Sequence, residues 1–107
     1  MKGTIIRLLE NRQGKENAIT GKELARLLGE RDDRRIRQII RELIEEGYPI
    51  ASSVTGTKGY FMTQTFAEKE EYLAVMRSRL IQDALRRRDY KKSAGLYLDR
   101  VTQARLI

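Results

Sequence analysis

The stretch DRRIRQIIRELIEEG, Asp33–Gly47, decides how the chain is to be read. Ile36, Ile39, Ile40, Leu43 and Ile44 recur at i, i+3, i+4, i+7 and i+8, which is one face of an amphipathic helix. Asp32 or Asp33 can cap its start. Gly47 stands where a C′ glycine closes a helix, and Pro49 forbids continuation. At about 100° per residue, Arg34, Gln38, Arg41 and Glu45 lie opposite the isoleucines, with Arg35 and Arg37 flanking them. Arginine and glutamine can bond guanine and adenine edges bidentately. Charges on an amphipathic helix are also the ordinary form of a solvated face. Asp33–Arg37 and Arg41–Glu45 have the i, i+4 spacing of intrahelical pairs. The helix alone does not separate the two readings, so its surroundings must.

Towards the N-terminus, Thr20 with Glu23 forms a capping-box signature. Leu24, Leu27 and Leu28 then give a short helix an apolar face, and Gly29 ends it. Before it come a helix over 2–12 carrying Ile5, Leu8 and Leu9, a polar loop QGKEN, and Ala18-Ile19 with the composition of a short strand. Towards the C-terminus, Ile50–Val54 and GYFMT read as two strands joined by TGTKG, a hairpin. Tyr60 and Phe61 alternate, so one of them points into the core. A second capping box, Thr65 with Glu68, opens a long helix from Phe66 to about Asp89, about 36 Å at 1.5 Å per residue. Leu73, Met76, Leu80 and Ala84 form its stripe, widened by Ile81 and Leu85. Gly95 interrupts the pattern, and Ala94, Leu98, Val101 and Arg105, with Tyr97 and Leu106 alongside, suggest a short last helix.

Composition narrows the chemistry. The chain has 107 residues, enough for one domain with a modest core. It contains neither cysteine nor histidine. Disulfides and thiol metal sites are therefore excluded, and so are the commonest general base and the commonest metal ligand. Ser52-Ser53 has no evident base, so no catalytic residues, metal or cofactor are expected and the chain does not read as an enzyme. No apolar run suits a signal peptide or a membrane span, so a cytoplasmic location is the expectation. The net charge of +7 suits a polyanionic partner.

The order helix, short strand, helix, turn, helix, hairpin is that of a winged helix-turn-helix. LARLLG, IRQIIRELIEEG, PIAS and GTKGYFM together resemble bacterial winged helix-turn-helix domains of the biotin-repressor-like type, and small phage and prophage winged-helix proteins are similar. TFAEKEEYLAVMRSRL fits the long helix with which the latter often continue. The resemblance covers about residues 4–64 well and 65–89 loosely. It implies that the helix 33–46 is the recognition helix and that the loop 55–59 is the wing. Two features depart from the pattern. The turn GERDD is a residue longer than in the biotin-repressor type, and no effector domain is present, so no small-molecule ligand is implied.

The expected fold is therefore mainly α with a small β-hairpin, a winged helix-turn-helix over residues 1–64 with a C-terminal helical extension over 65–107. The expected function is sequence-specific binding of double-stranded DNA, as a small bacterial or phage transcriptional regulator. Arg34, Arg35, Gln38 and Arg41 would contact bases or nearby phosphates. Arg37 and Lys58 would contact backbone, with Thr55 and Thr57 beside Lys58 in the wing. Lys22, Arg26, Arg86, Arg87 and Arg88 are further phosphate candidates. Asp32, Asp33 and the acidic turn count against docking.

The last third has three readings: a phosphate-tracking strip, a homodimer seam flanked by basic residues, or a helix packed back on its own domain. A membrane surface is disfavoured, because the helix lacks Trp and begins with acids. A protein–protein adaptor in a phage replication or DNA-packaging assembly remains the alternative function.

Overall fold

The computed structural model describes residues 1–106, the side chain of Leu106 excepted. Ile107, and the expected packing of Leu106, lie outside the described residues. The chain is mainly helical, with a small antiparallel hairpin and a long C-terminal helix. Its elements are α1 (Lys2–Glu10), α2 (Gly21–Leu28), α3 (Arg34–Glu45), β1 (Ile50–Ser53), β2 (Gly59–Met62) and α4 (Phe66–Leu106), with a single 3-10 turn at Lys15–Asn17. It divides into two compact units, Met1–Tyr72 and Leu73–Ile107.

In the first unit, α1, α2, α3 and the hairpin enclose one core. Ile5, Leu9, Leu24, Ile36 and Leu43 are fully buried, with Ile19, Ile39, Ile40, Ile50 and Met62 around them. Each such side chain contributes roughly 1.5–3 kcal/mol by leaving water. Two expected core residues stay outside, Leu27 and Ile44, which are 47% and 45% exposed. Both sit at the rim of their stripe. Ile44 lies about 90° round the helix from the centre of Ile36, Ile39, Ile40 and Leu43. On α2, Ala25 takes the inward position instead of Leu27.

The helix ends form as their residues dictate. Thr20 Oγ1 accepts the Glu23 N–H at 3.1 Å, but the Glu23 carboxylate turns to Arg26, so only half of that capping box exists. α3 starts with Asp32, whose carboxylate accepts the Arg34 N–H at 3.0 Å, while the Asp33 side chain bonds Arg37. α3 ends in a Schellman closure. The Tyr48 N–H reaches the Leu43 carbonyl at 3.0 Å, and the Gly47 N–H reaches that of Ile44 at 3.0 Å. Gly47 adopts φ 107°, which a side chain would strain.

The hairpin pairs Ile50 with Met62, Ala51 with Phe61, Ser52 with Tyr60 and Ser53 with Gly59. Ile50 and Met62 belong to the main core. Ala51 and Phe61 belong to a second cluster with Ala18, covered by Tyr72 of α4. Phe61, not Tyr60, is thus the fully inward aromatic. The expected strand at Ala18-Ile19 is a single bridge: Ile19 and Tyr60 exchange both N–H···O bonds, at 2.8 and 2.7 Å. The preceding 3-10 turn and the start of α2 at Gly21 leave too few residues for a longer ladder. Gly59, at φ 124°, lies directly over this bridge. A Cβ there would drive into the Ile19 carbonyl and the Thr20 nitrogen.

The Thr65–Glu68 box forms in full, through Glu68 N–H to Thr65 Oγ1 at 3.1 Å and Thr65 N–H to Glu68 Oε1 at 3.3 Å. Glu68 also accepts the N–H of Gln64 at 2.9 Å and of Lys15 at 2.7 Å. These bonds hold its carboxyl below the usual range, the Gln64 N–H most of all. From there α4 runs unbroken to Leu106. The expected break at Gly95 and the separate short helix are not found. A glycine costs a helix about 1 kcal/mol, which good helix formers on both sides can absorb.

Candidate nucleic-acid interface

The face of α3 opposite the core carries Arg34, Gln38, Arg41 and Glu45, all exposed, with Arg35 and Arg37 on its flanks. Among the described residues Arg34, Arg35 and Arg41 have no carboxylate within ion-pair distance, so the possible Arg41–Glu45 pair is not made. Arg37 differs. It bonds Asp33 at 2.8 Å, which raises its own pKa and lowers that of Asp33. Arg26 is likewise held by Glu23, whose carboxyl is lowered mainly by that bond. Both arginines bring less free charge to the surface than the sequence suggests.

The acids at the far end of α3 are also engaged. Lys2, at the start of α1, reaches Glu42 at 3.2 Å and Glu46 at 2.7 Å, and these carboxylates raise its pKa, Glu46 first. The negative end of α3 is therefore partly neutralised, while the unpaired arginines stand along the helix, Arg34 and Arg35 in its first turn and Arg41 beyond its midpoint.

The start of α3 meets the hairpin. A Cβ on Gly21 would lie 3.3 Å from the Asp33 side chain and 3.4 Å from the Tyr60 ring. The first turns of α2 and α3 and the root of β2 therefore converge. Burial raises the pKa of the Tyr60 phenol there. Tyr60 was not anticipated as part of this junction; the signal was its alternation with Phe61. Lys22 is exposed near Asp33, and Lys22, Arg26 and Arg31 share a cleft at the GERDD turn with Glu30, Asp32 and Asp33.

The hairpin loop presents Thr55, Gly56, Thr57 and Lys58 to solvent. Its root is fixed by the buried Ser53, whose hydroxyl donates to the Thr55 carbonyl at 2.7 Å. One side of the loop shares an open cleft with Lys15, Glu16 and Glu68. Two carboxylates there disfavour an anion on that side and leave Lys58 as the loop's cation.

In the second unit, Arg87, Arg88, Lys91 and Lys92 surround the gap left by Gly95. Arg86 is exposed beside them, and Arg88 is paired with Asp89 at 3.2 Å. No group of three or more Asp, Glu, His or Cys side chains among the described residues could hold a metal ion. No helix among them is long and apolar enough to cross a membrane. Comparison with protein-family models, curated proteins and solved structures finds no match to this chain.

Proposed function

We propose that the chain is a winged helix-turn-helix protein that binds double-stranded DNA, with α3 in the major groove and the loop 55–58 as the wing. The observation that carries this reading is the pair of unpaired arginines flanking Gln38 along one exposed face of α3, Arg34 and Arg41. Arg34 stands at the end of the helix that abuts the hairpin root, with Arg41 about two turns further along. Arg34, Gln38 and Arg41 read base edges, and Arg35, Lys22, Arg31 and Lys58 hold phosphates. Thr55 and Thr57 add hydroxyl contacts from the wing. Arg37 and Arg26 contribute less, because Asp33 and Glu23 compete for them. Arg86 and Arg88 add salt-sensitive affinity from α4. A regulatory role in the cytoplasm, on a palindromic site bound by a homodimer, accords with this reading.

A combined Arg34→Ala and Arg41→Ala variant tests it. Each lost bidentate contact is worth about 1–3 kcal/mol, so duplex affinity should fall at least tenfold while the circular dichroism melt is unchanged. Unchanged affinity would overturn the assignment of α3.

A second reading, an adaptor that binds protein, is favoured by the near neutrality of the first unit, 13 basic against 12 acidic residues up to Tyr72, a net of +1. No duplex binding even at low salt would decide for it.

A further inference from the structure

Because α4 is unbroken, its two apolar stripes belong to one pattern. Leu73, Leu80, Arg87, Ala94 and Val101 recur every seven residues. Met76, Asp83, Tyr90, Tyr97 and Ala104 follow at the same step, three positions later. On a straight helix of 3.6 residues per turn such a line drifts about 20° per heptad. It stays on one side only if the helix supercoils around a partner at 3.5 residues per turn. The large side chains of the line are bare in this chain: Leu80 is 70% exposed and Tyr90 73%.

We propose that the partner is α4 of a second copy, running antiparallel about a dyad at Leu85. The two charged interruptions fix this choice. In an antiparallel pair, residues equally far before and after Leu85 face one another. Asp83 then meets Arg87 of the partner subunit, and Arg87 meets Asp83 of the partner subunit, so both buried charges are neutralised. Leu80 faces a tyrosine at position 90, Leu73 a tyrosine at 97, and the long Met76 side chain faces the small Ala94. A parallel pair in register would set Asp83 against Asp83, Arg87 against Arg87 and Ala94 against Ala94. That arrangement buries like charges, which is costly, and leaves a hole.

The edges of the seam carry a further consequence. Arg77, Arg86 and Lys91 flank it, so the two copies repel along their sides. Salt screens such exposed charges. Self-association therefore strengthens with ionic strength, whereas duplex binding weakens. This inference rests on the homodimer reading and is independent of DNA.

The test is sedimentation equilibrium on the full chain without DNA, at low and high salt. A dimer that tightens with salt is expected. Asp83→Arg should weaken it at least about 100-fold, because it leaves unpaired charges in the seam, and adding Arg87→Asp should restore it. The orientation is read by oxidising a mixture of Met76→Cys and Ala94→Cys chains, which contain no other cysteine. Disulfides between the two different variants support the antiparallel pair. Disulfides only between identical variants, a chain that stays monomeric at both salt levels, or an Asp83→Arg variant that associates normally would each overturn it.

Discussion

The two units are held together by opposite means. Met1–Tyr72 has a core to which α1, α2, α3 and both strands contribute, and both ends of α2 and α3 and the start of α4 are closed by a side chain or a glycine. Leu73–Ile107 has only the backbone ladder of one helix, with 9 basic against 3 acidic residues, a net of +6. Tertiary burial makes the first unit sensitive to single methyl groups. The second answers to charge, salt and partners. On the proposed reading, specific recognition would belong where geometry is fixed, and adjustable affinity where it is not.

Five variants press on this contrast, in falling order of effect, with Leu80→Ala as the counterpart of Leu43→Ala. Gly59→Ala should prevent the first unit from folding, because the added Cβ meets the Ile19–Thr20 backbone at φ 124°; loss of near-ultraviolet dichroism would register it. Leu43→Ala should cost about 2–5 kcal/mol in a urea melt. By contrast Leu80→Ala should change monomer stability by no more than about 0.5 kcal/mol. Similar costs for the two would erase the distinction between the units.

Next, Arg88→Gln with Lys92→Gln lies outside the proposed seam. If α4 touches phosphates, the slope of log affinity against log salt should fall by about 0.9 per contact removed. An unchanged slope would confine DNA contact to the first unit. The smallest effect is expected from Glu68→Gln. The Glu68 carboxyl is held below its ordinary value in the folded chain. It therefore stabilises the fold above the ordinary glutamate range, and that contribution disappears as pH falls through the lowered value. The variant should show a flatter melting temperature between neutral and acid pH. A profile as steep as the parent's would assign the acid sensitivity to other carboxylates.

What the sequence made legible was local. Thr20, Thr65, Gly29 and Gly47 mark helix ends because their effects reach only three to five residues. The stripe of α3 was legible because its period is intrinsic to the helix. Leu27 and Ile44 were misread because the rotation of a helix against its neighbours is settled by the neighbours. Gly95 resembles a break because a glycine weakens a helix only locally, whereas the long flanks of helix formers carry the ladder across it. The ties from Lys2 to Glu46 and from Lys15 to Glu68 span 44 and 53 positions, so nothing nearby in the chain announces them. The candidate site was legible as residue types but not as charge. That Asp33 and Glu23 occupy Arg37 and Arg26, while Arg34 and Arg41 stay free, depends on rotamers and on which i, i+3 and i, i+4 options close.

The hairpin also separates a fixed root from a free tip. Gly59, the Ile19 bridge and the Ser53 hydroxyl pin both ends of the loop, and Val54 to Lys58 carry no core contact. Closing a flexible loop costs only about 0.6 kcal/mol for each doubling of its length. Residues inserted there would thus lengthen the reach of Lys58 at small thermodynamic cost. The spacing between the loop's cation and the arginines of α3 is a dimension that evolution or an engineer can reset without repacking the core.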